Sequence, residues 1–227
     1  MDGNEGFNLT TMIAKVIPSL ALLVVLTFGH GLGETGALDA NARLEADRLV
    51  EQMRGVSMQE EPAPPGNGTS DPAEQRRVVI VEKLRLLGKE SLPALIHALH
   101  DPDVQMRRNA ALVLTDLSGT WLAKPKVDIR EAIPALIEAT DDHDPDVRAW
   151  VAEALATIGP DAKEAIPALT GLVKDSFEGA RNNSCFALGE VGPAAKSALP
   201  ALHDALNAPS KDVRRFAQNA IEKIQNE

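Results

Sequence analysis

Tyrosine is absent from the 227 residues, Trp occurs twice and Phe five times, so aromatic side chains make up only 3% of the chain. Apolar burial must therefore come from Ala, Leu, Val and Ile, a composition that favours helices. Cysteine occurs once, at Cys185, which excludes an internal disulfide framework and a Cys-based zinc site. Basic side chains are outnumbered, 23 against 33 acidic, for a formal charge of -10 and a pI near 5.0. Few stacking rings and no basic excess weigh against nucleic acid as a partner. The 16 Gly and 15 Pro are dispersed, which argues against collagen-like or low-complexity sequence and for regularly spaced helix ends.

Only one long apolar run is present, Val16 to Phe28, preceded by Lys15 and followed by Gly31-Leu32-Gly33, a small-x-small exit. It reads as an export signal, cleaved or retained as an anchor, in residues 1–33. Either form places the remainder outside the cytoplasm, periplasmic, extracellular or held at the membrane. Residues 38–55 then carry apolar side chains at helical spacing and are expected to form an isolated helix. Residues 56–72 hold Pro and Gly without an apolar period and read as a linker. Charge is uneven: residues 1–73 carry ten acidic and four basic groups (net -6), and the remainder 23 and 19 (net -4). The acidity serves solubility.

From Arg77 onward the chain repeats. An apolar-Pro-Ala-Leu tetrapeptide occurs at Leu92–Leu95, Ile133–Leu136, Ile166–Leu169 and Leu199–Leu202, with spacings of 41, 33 and 33 residues. Thirteen residues after each Pro stand Met106, Val147, Ala180 and Val213, each followed at once by an arginine, Arg107, Arg148, Arg181 or Arg214. A Pro-opened helix, a short Asp/Pro turn and a second helix, recurring at this period, predict an all-α fold: an α-solenoid superhelix of about four helix pairs over residues 73–227. Arg77 to Gly88 has the pattern of a second helix alone and starts the array as a half-repeat.

Blocks such as Asp144 to Leu169, DPDVRAWVAEALATIGPDAKEAIPAL, resemble HEAT repeats of the short bacterial type also found in phycobilisome lyases. The resemblance covers about two thirds of the chain and implies the fold rather than the activity, since this architecture hosts adaptors, lyases and oxygenases. It also implies a structural ladder. Asp101, Asp142 and Asp175 stand six residues before Arg107, Arg148 and Arg181, as in the Asp-Arg ladder that ties neighbouring HEAT repeats. The last unit has Ala208 instead, which is expected to leave Arg214 without its partner. The competing reading of the arginines, a row for anions or phosphates, is opposed by the aspartates that would neutralise it.

The remaining repeat residues have structural readings. Pro93, Pro134, Pro167 and Pro200 fix where the first helices begin, and Asp103 and Asp144 cap the second helices rather than forming a calcium loop. Cys185 shares a column of small residues with Ala111 and Ala152, so a buried thiol is expected. In the final unit that column holds Gln218 and, four residues on, Glu222, as a terminal capping repeat requires, so the array is expected to be complete.

No P-loop, dinucleotide motif or nucleophile elbow is present. None of His30, His97, His100, His143 and His203 is followed by Glu, unlike the His-Glu pairs of the deoxyhypusine hydroxylase type. No metal, cofactor or catalytic residue is therefore expected. The expected function is a non-enzymatic protein-protein interaction scaffold, monomeric, with a protein or peptide partner on its concave face. The alternative is a HEAT-repeat lyase that attaches a chromophore, or a metal-dependent oxygenase.

Two candidate binding elements follow. Eight extra residues within Gly119–Arg130 form a loop in which Trp121 beside Lys124, Lys126 and Arg130 grips an acidic partner, or folds back over the seam. By helical period, the third, fourth, seventh and eleventh positions of each second helix, counted from the Met106 column, face away from the inter-helix core. They include Ala149 and Asn182, and the candidate partner residues Asn109, Leu112, Trp150, Glu153, Asn183, Phe186, Phe216 and Asn219. The rings would anchor a partner while the amides pair its backbone. The competing reading makes Trp150 and Phe216 core.

Overall fold

A computed structural model describes residues 35–54, 72–119 and 126–225. The chain divides into two compact units, Met1–Ala42 and Arg43–Glu227. Of the first, the described residues are the opening turns of α1, Thr35–Glu51. The predicted export segment, most of the linker, and Trp121 lie outside the described residues. Among the described residues, no helix is long and apolar enough to cross a membrane.

The second unit carries the repeats. After α2 (Pro72–Leu87) come the pairs α3 (Leu92–Ala98) and α4 (Val104–Ser118), α5 (Ile133–Ala139) and α6 (Pro145–Ile158), α7 (Ile166–Leu172) and α8 (Glu178–Val191), then α9 (Leu199–Ala205) and α10 (Lys211–Gln225). Each first helix has its proline in the opening turn, where the missing N–H has no intrahelical role. Short 3-10 turns lead into the first helices, and Gly88, Gly119, Gly159 and Gly192 stand at positive φ after the second-type helices, where a Cβ would strain the chain. Asp103 and Asp144 accept first-turn N–H groups at the starts of α4 and α6, as the caps expected of them.

Within each pair the short helix packs on the long one, and α4, α6, α8 and α10 pack side by side as one layer. Ala is small enough to let these helices approach. Ala111, Ala152 and Cys185 are fully buried in one column, and burial pushes the Cys185 thiol up to about 12. Four residues along, Gly189 meets α10 so closely that a Cβ there would lie 3.0 Å from Ala220 Cα. The final column members Gln218 and Glu222 are exposed and joined by a 2.7 Å hydrogen bond.

One predicted element is placed differently. The helix expected to stand alone is docked on the repeats over its second half: Ala46, Leu49, Val50 and Met53 are buried in the repeat core. Its apolar stripe is covered because the first repeat is preceded by a single helix, α2, and not by a complete unit that would bury its flank. Arg43 pairs with Glu90 ahead of α3, and Arg54 with Asp101 beyond it, so this part of α1 runs in the same direction as α3.

Candidate protein-binding surface

The aspartate and arginine columns form a ladder between units. Arg107 donates Nε and Nη2 to the Asp142 carboxylate at 2.6 and 3.1 Å, and Nη1 to the Asp101 and Pro102 carbonyls. Arg148 repeats this with Asp175, at 2.7 and 2.8 Å, and with the carbonyls of Asp142 and His143. Each ladder carboxylate also accepts the N–H two residues on. Asp175 is held below the usual carboxylate range although burial pushes it upward, because Arg148 and the Phe177 N–H outweigh that burial. The arginine thus pairs with the next unit's aspartate. The rung lost through Ala208 is accordingly that of Arg181, a correction to the expected assignment to Arg214.

A second tie is confined to the first seam, where Arg108 donates to Asp144 and approaches Asp146 at 3.3 Å. It holds Asp144 below its ordinary range. In the described part of the insertion loop, Arg130 is bound to Asp128 and also donates to Asp161 at 3.1 Å, while Lys124, like Trp121, lies outside the described residues.

On the layer of second helices, the candidate residues separate into three groups. Asn109 is fully buried, and its Nδ2 donates to Met53 O at 3.0 Å; Asn183 does the same to Ala149 O at 3.0 Å. Both amides therefore pair the backbone of a helix or turn in the protein itself, which corrects the expectation that they pair a partner. Ala149 is buried, and the Asn182 Oδ1 is buried without a hydrogen-bond partner, so these two third positions turn inward, whereas Arg215 in the last unit is exposed.

Leu112, Trp150 and Phe216 are half-buried and packed against the core. Glu153 is also half-buried. Its desolvation, with Asp116 nearby, holds its carboxyl above the ordinary glutamate range, while Asn183 donates to it at 3.4 Å and opposes the rise.

The third group is brought together at the α8–α10 seam. Phe186 is 38% exposed, and its ring meets that of Phe216 edge-on with centroids 6.2 Å apart. With Gly189, Asn219, Ala220, Glu222 and Lys223 they line a cavity of about 260 Å³. That is below the 300–1,000 Å³ typical of small-molecule sites and suits a single side chain. Lys223 reaches Glu190 across the rim and lies 5.8 Å from the Phe186 centroid. Helical period placed Phe186, Glu190, Phe216, Asn219 and Lys223 on this layer; it did not give the cavity itself, which Gly189 and Ala220 open where the two helices meet. Among the described residues no group of three or more His, Cys, Asp or Glu side chains is placed to hold a metal.

Helix pairs stacked through side-by-side second helices and tied by an arginine ladder define an α-solenoid. Residues 92–182 match the model for HEAT repeats, so that stretch of the chain carries HEAT repeats. No curated protein matches the chain by sequence. Among solved structures it is similar to the complex of CpcE and CpcF of phycocyanin lyase from Nostoc sp., at 16% identity over 78% of this chain and 97% of that one, TM-score 0.58. It is also similar to a designed armadillo repeat protein in complex with the peptide (KR)4, at 18% identity over 96% and 100%, TM-score 0.57. Computationally designed armadillo repeat proteins for modular peptide recognition match at 18% identity over 96% and 100%, TM-score 0.54. At these identities the likeness is one of fold.

Proposed function

We propose that the protein is a non-enzymatic scaffold, exported or tethered at the membrane through residues 1–33, that binds a protein or peptide partner on the layer of second helices. The observation that carries this reading is the α8–α10 cavity: an exposed Phe186 set edge-on to Phe216 over Gly189 and Ala220, with a polar rim of Asn219, Glu222 and Lys223. An apolar floor inside a polar rim is the arrangement in which one buried anchor contributes most of an interface's free energy. The designed armadillo neighbour that holds a peptide supports the reading by analogy of fold.

The test is cross-linking in the native cell followed by mass spectrometry, for the parent chain and for Phe186→Ala. A protein cross-linked at α8 or α10 in the parent and lost in the variant is expected. Equal capture by both moves the surface elsewhere, and stoichiometric iron or a visible absorption band in the purified protein overturns the non-enzymatic reading. Fractionation and N-terminal sequencing test the location. A mature start near Glu34, or an intact chain in the membrane fraction, is expected, whereas a full-length soluble cytoplasmic protein refutes both forms.

A further inference from the structure

The column arginines are built alike, and two are only half engaged: Arg214 in the last unit, which has no following unit and whose Nη1 donates to the Ala208 and Pro209 carbonyls, and Arg181, which does have one. In Arg107 and Arg148, Nη1 is anchored on two carbonyls of the preceding turn while Nε and Nη2 hold the next unit's carboxylate with two charge-assisted bonds. Arg181 has the anchor, with Nη1 donating to Asp175 O at 2.8 Å and Ser176 O at 2.9 Å. The position that should supply its carboxylate is Ala208. Among the described residues its Nε makes no hydrogen bond, and the carboxylate oxygen that comes near is Glu178 Oε2, 3.9 Å from Nη2. Glu178 is half exposed, and its other oxygen accepts from Ser210 at 2.6 Å.

The Arg181 side chain is 23% exposed, against 17% and 14% for its paired counterparts, so its outer edge is reachable. The helix it opens, α8, has Phe177 at its cap position and no side-chain acceptor for its first N–H groups. An anion at that end therefore meets both a fixed guanidinium and the positive end of a helix. The fork is already oriented by its two carbonyls, so a ligand need not order it.

We propose that the open fork of Arg181, framed by the turns at 175–178 and 208–210, binds a carboxylate side chain of a protein partner, which completes the rung that Ala208 leaves empty. The ligand takes the place that Asp142 and Asp175 take at the inner seams, with two parallel N–H···O bonds. This goes beyond the inner-face reading and does not rest on it, since none of Trp150, Phe186 and Phe216 takes part.

The experiment follows the Arg Nε–Hε signals of the 15N-labelled full chain at low salt, titrated with the capped peptide acetyl-Ala-Asp-Ala-amide. A saturable shift of the Arg181 signal is expected. Ala208→Asp should abolish that shift by filling the site from within, and raise Tm by roughly 2 °C, as one added partly buried ion pair does in a domain of this size. Arg181→Lys keeps the charge without the fork and should weaken peptide binding about tenfold; parental binding by that variant overturns the proposal, whether or not Ala208→Asp folds. An unmoved Arg181 signal, or the same shift in Ala208→Asp, overturns it too. Free acetate binding as tightly as the peptide assigns the site to small acids and overturns the protein partner, without bearing on the cavity between α8 and α10.

Discussion

Arg54 donates to the Asp101 carboxylate at 2.9 Å through Nη2 and, more weakly, at 3.4 Å through Nη1. A residue outside the repeats thus supplies the first rung of their ladder. The same turn provides the Met53 carbonyl to Asn109, the bond that Asn183 makes to Ala149 between repeats. The end of α1 therefore closes the first repeat much as a preceding repeat would.

Met53 measures that docking, being fully buried against the repeats. Met53→Ala is expected to cost about 2–3 kcal/mol in urea unfolding, within the range for truncating a buried methionine. Amide exchange at residues 46–50 should quicken more than exchange in α8. An unchanged unfolding midpoint would show that α1 is not held there.

The ladder carries a pH dependence of definite sign. Asp101 is held low chiefly by its hydrogen bond from Arg54, Asp144 chiefly by Arg108, and Asp175 by Arg148 in spite of its burial. A carboxyl lowered on folding stabilises the native state above its unfolded pKa, and that contribution is lost as pH falls through the folded value. Tm should therefore drop as pH falls below about 4, the ordinary aspartate value. In Asp175→Asn the drop should be smaller.

Glu153 has the opposite sign. Its carboxyl is raised, chiefly by burial and then by Asp116, so its stabilising contribution is present below the unfolded value and lost as pH rises through the folded one. Glu153→Gln should raise Tm relative to the parent at pH 7 and make no difference at pH 3. A loss of Tm at pH 7 would mean that the ionised carboxylate is a net stabiliser.

The two phenylalanines of the cavity should part company on substitution. Phe186→Ala removes a ring already 38% exposed and should cost about 1 kcal/mol, the scale of an aromatic pair contact. Phe216→Ala, whose ring packs on the core, should cost about 3 kcal/mol. Equal losses would place both rings in the core.

The face presented by Gln218 and Glu222 should respond to apolar substitution. Replacing both with Leu converts an exposed polar pair into a patch continuous with the α10 stacking column, and end-to-end association is expected in light scattering. A double variant as monomeric as its parent would show that this face does not stack.

The repeat was legible because each unit presents the same chemistry at the same spacing: Pro in the opening turn of the first helix, Arg opening the second, and small residues in the stacking column. The cavity was legible in part. Helical period placed Phe186 and Phe216 on one layer, but the space between them depends on how closely α8 and α10 approach, which Gly189 and Ala220 permit and no local spacing encodes. Asn109 and Asn183 were misread for a related reason. An amide at a surface-facing helical position is drawn inward when the adjacent helix or turn brings a carbonyl within its reach.

The ladder divides local from tertiary information most cleanly. Sequence by itself determined that an Asp and an Arg recur six residues apart and that Ala208 interrupts the series. Along the chain that spacing joins Asp101 to Arg107, and the structure keeps only the backbone half of the pairing, with Arg107 on the Asp101 carbonyl. The carboxylate of Asp101 turns instead to Arg54, and the fork of Arg107 to Asp142. That choice belongs to the tertiary structure, because a side chain's partner is decided by which neighbouring element its direction meets after the helices have stacked.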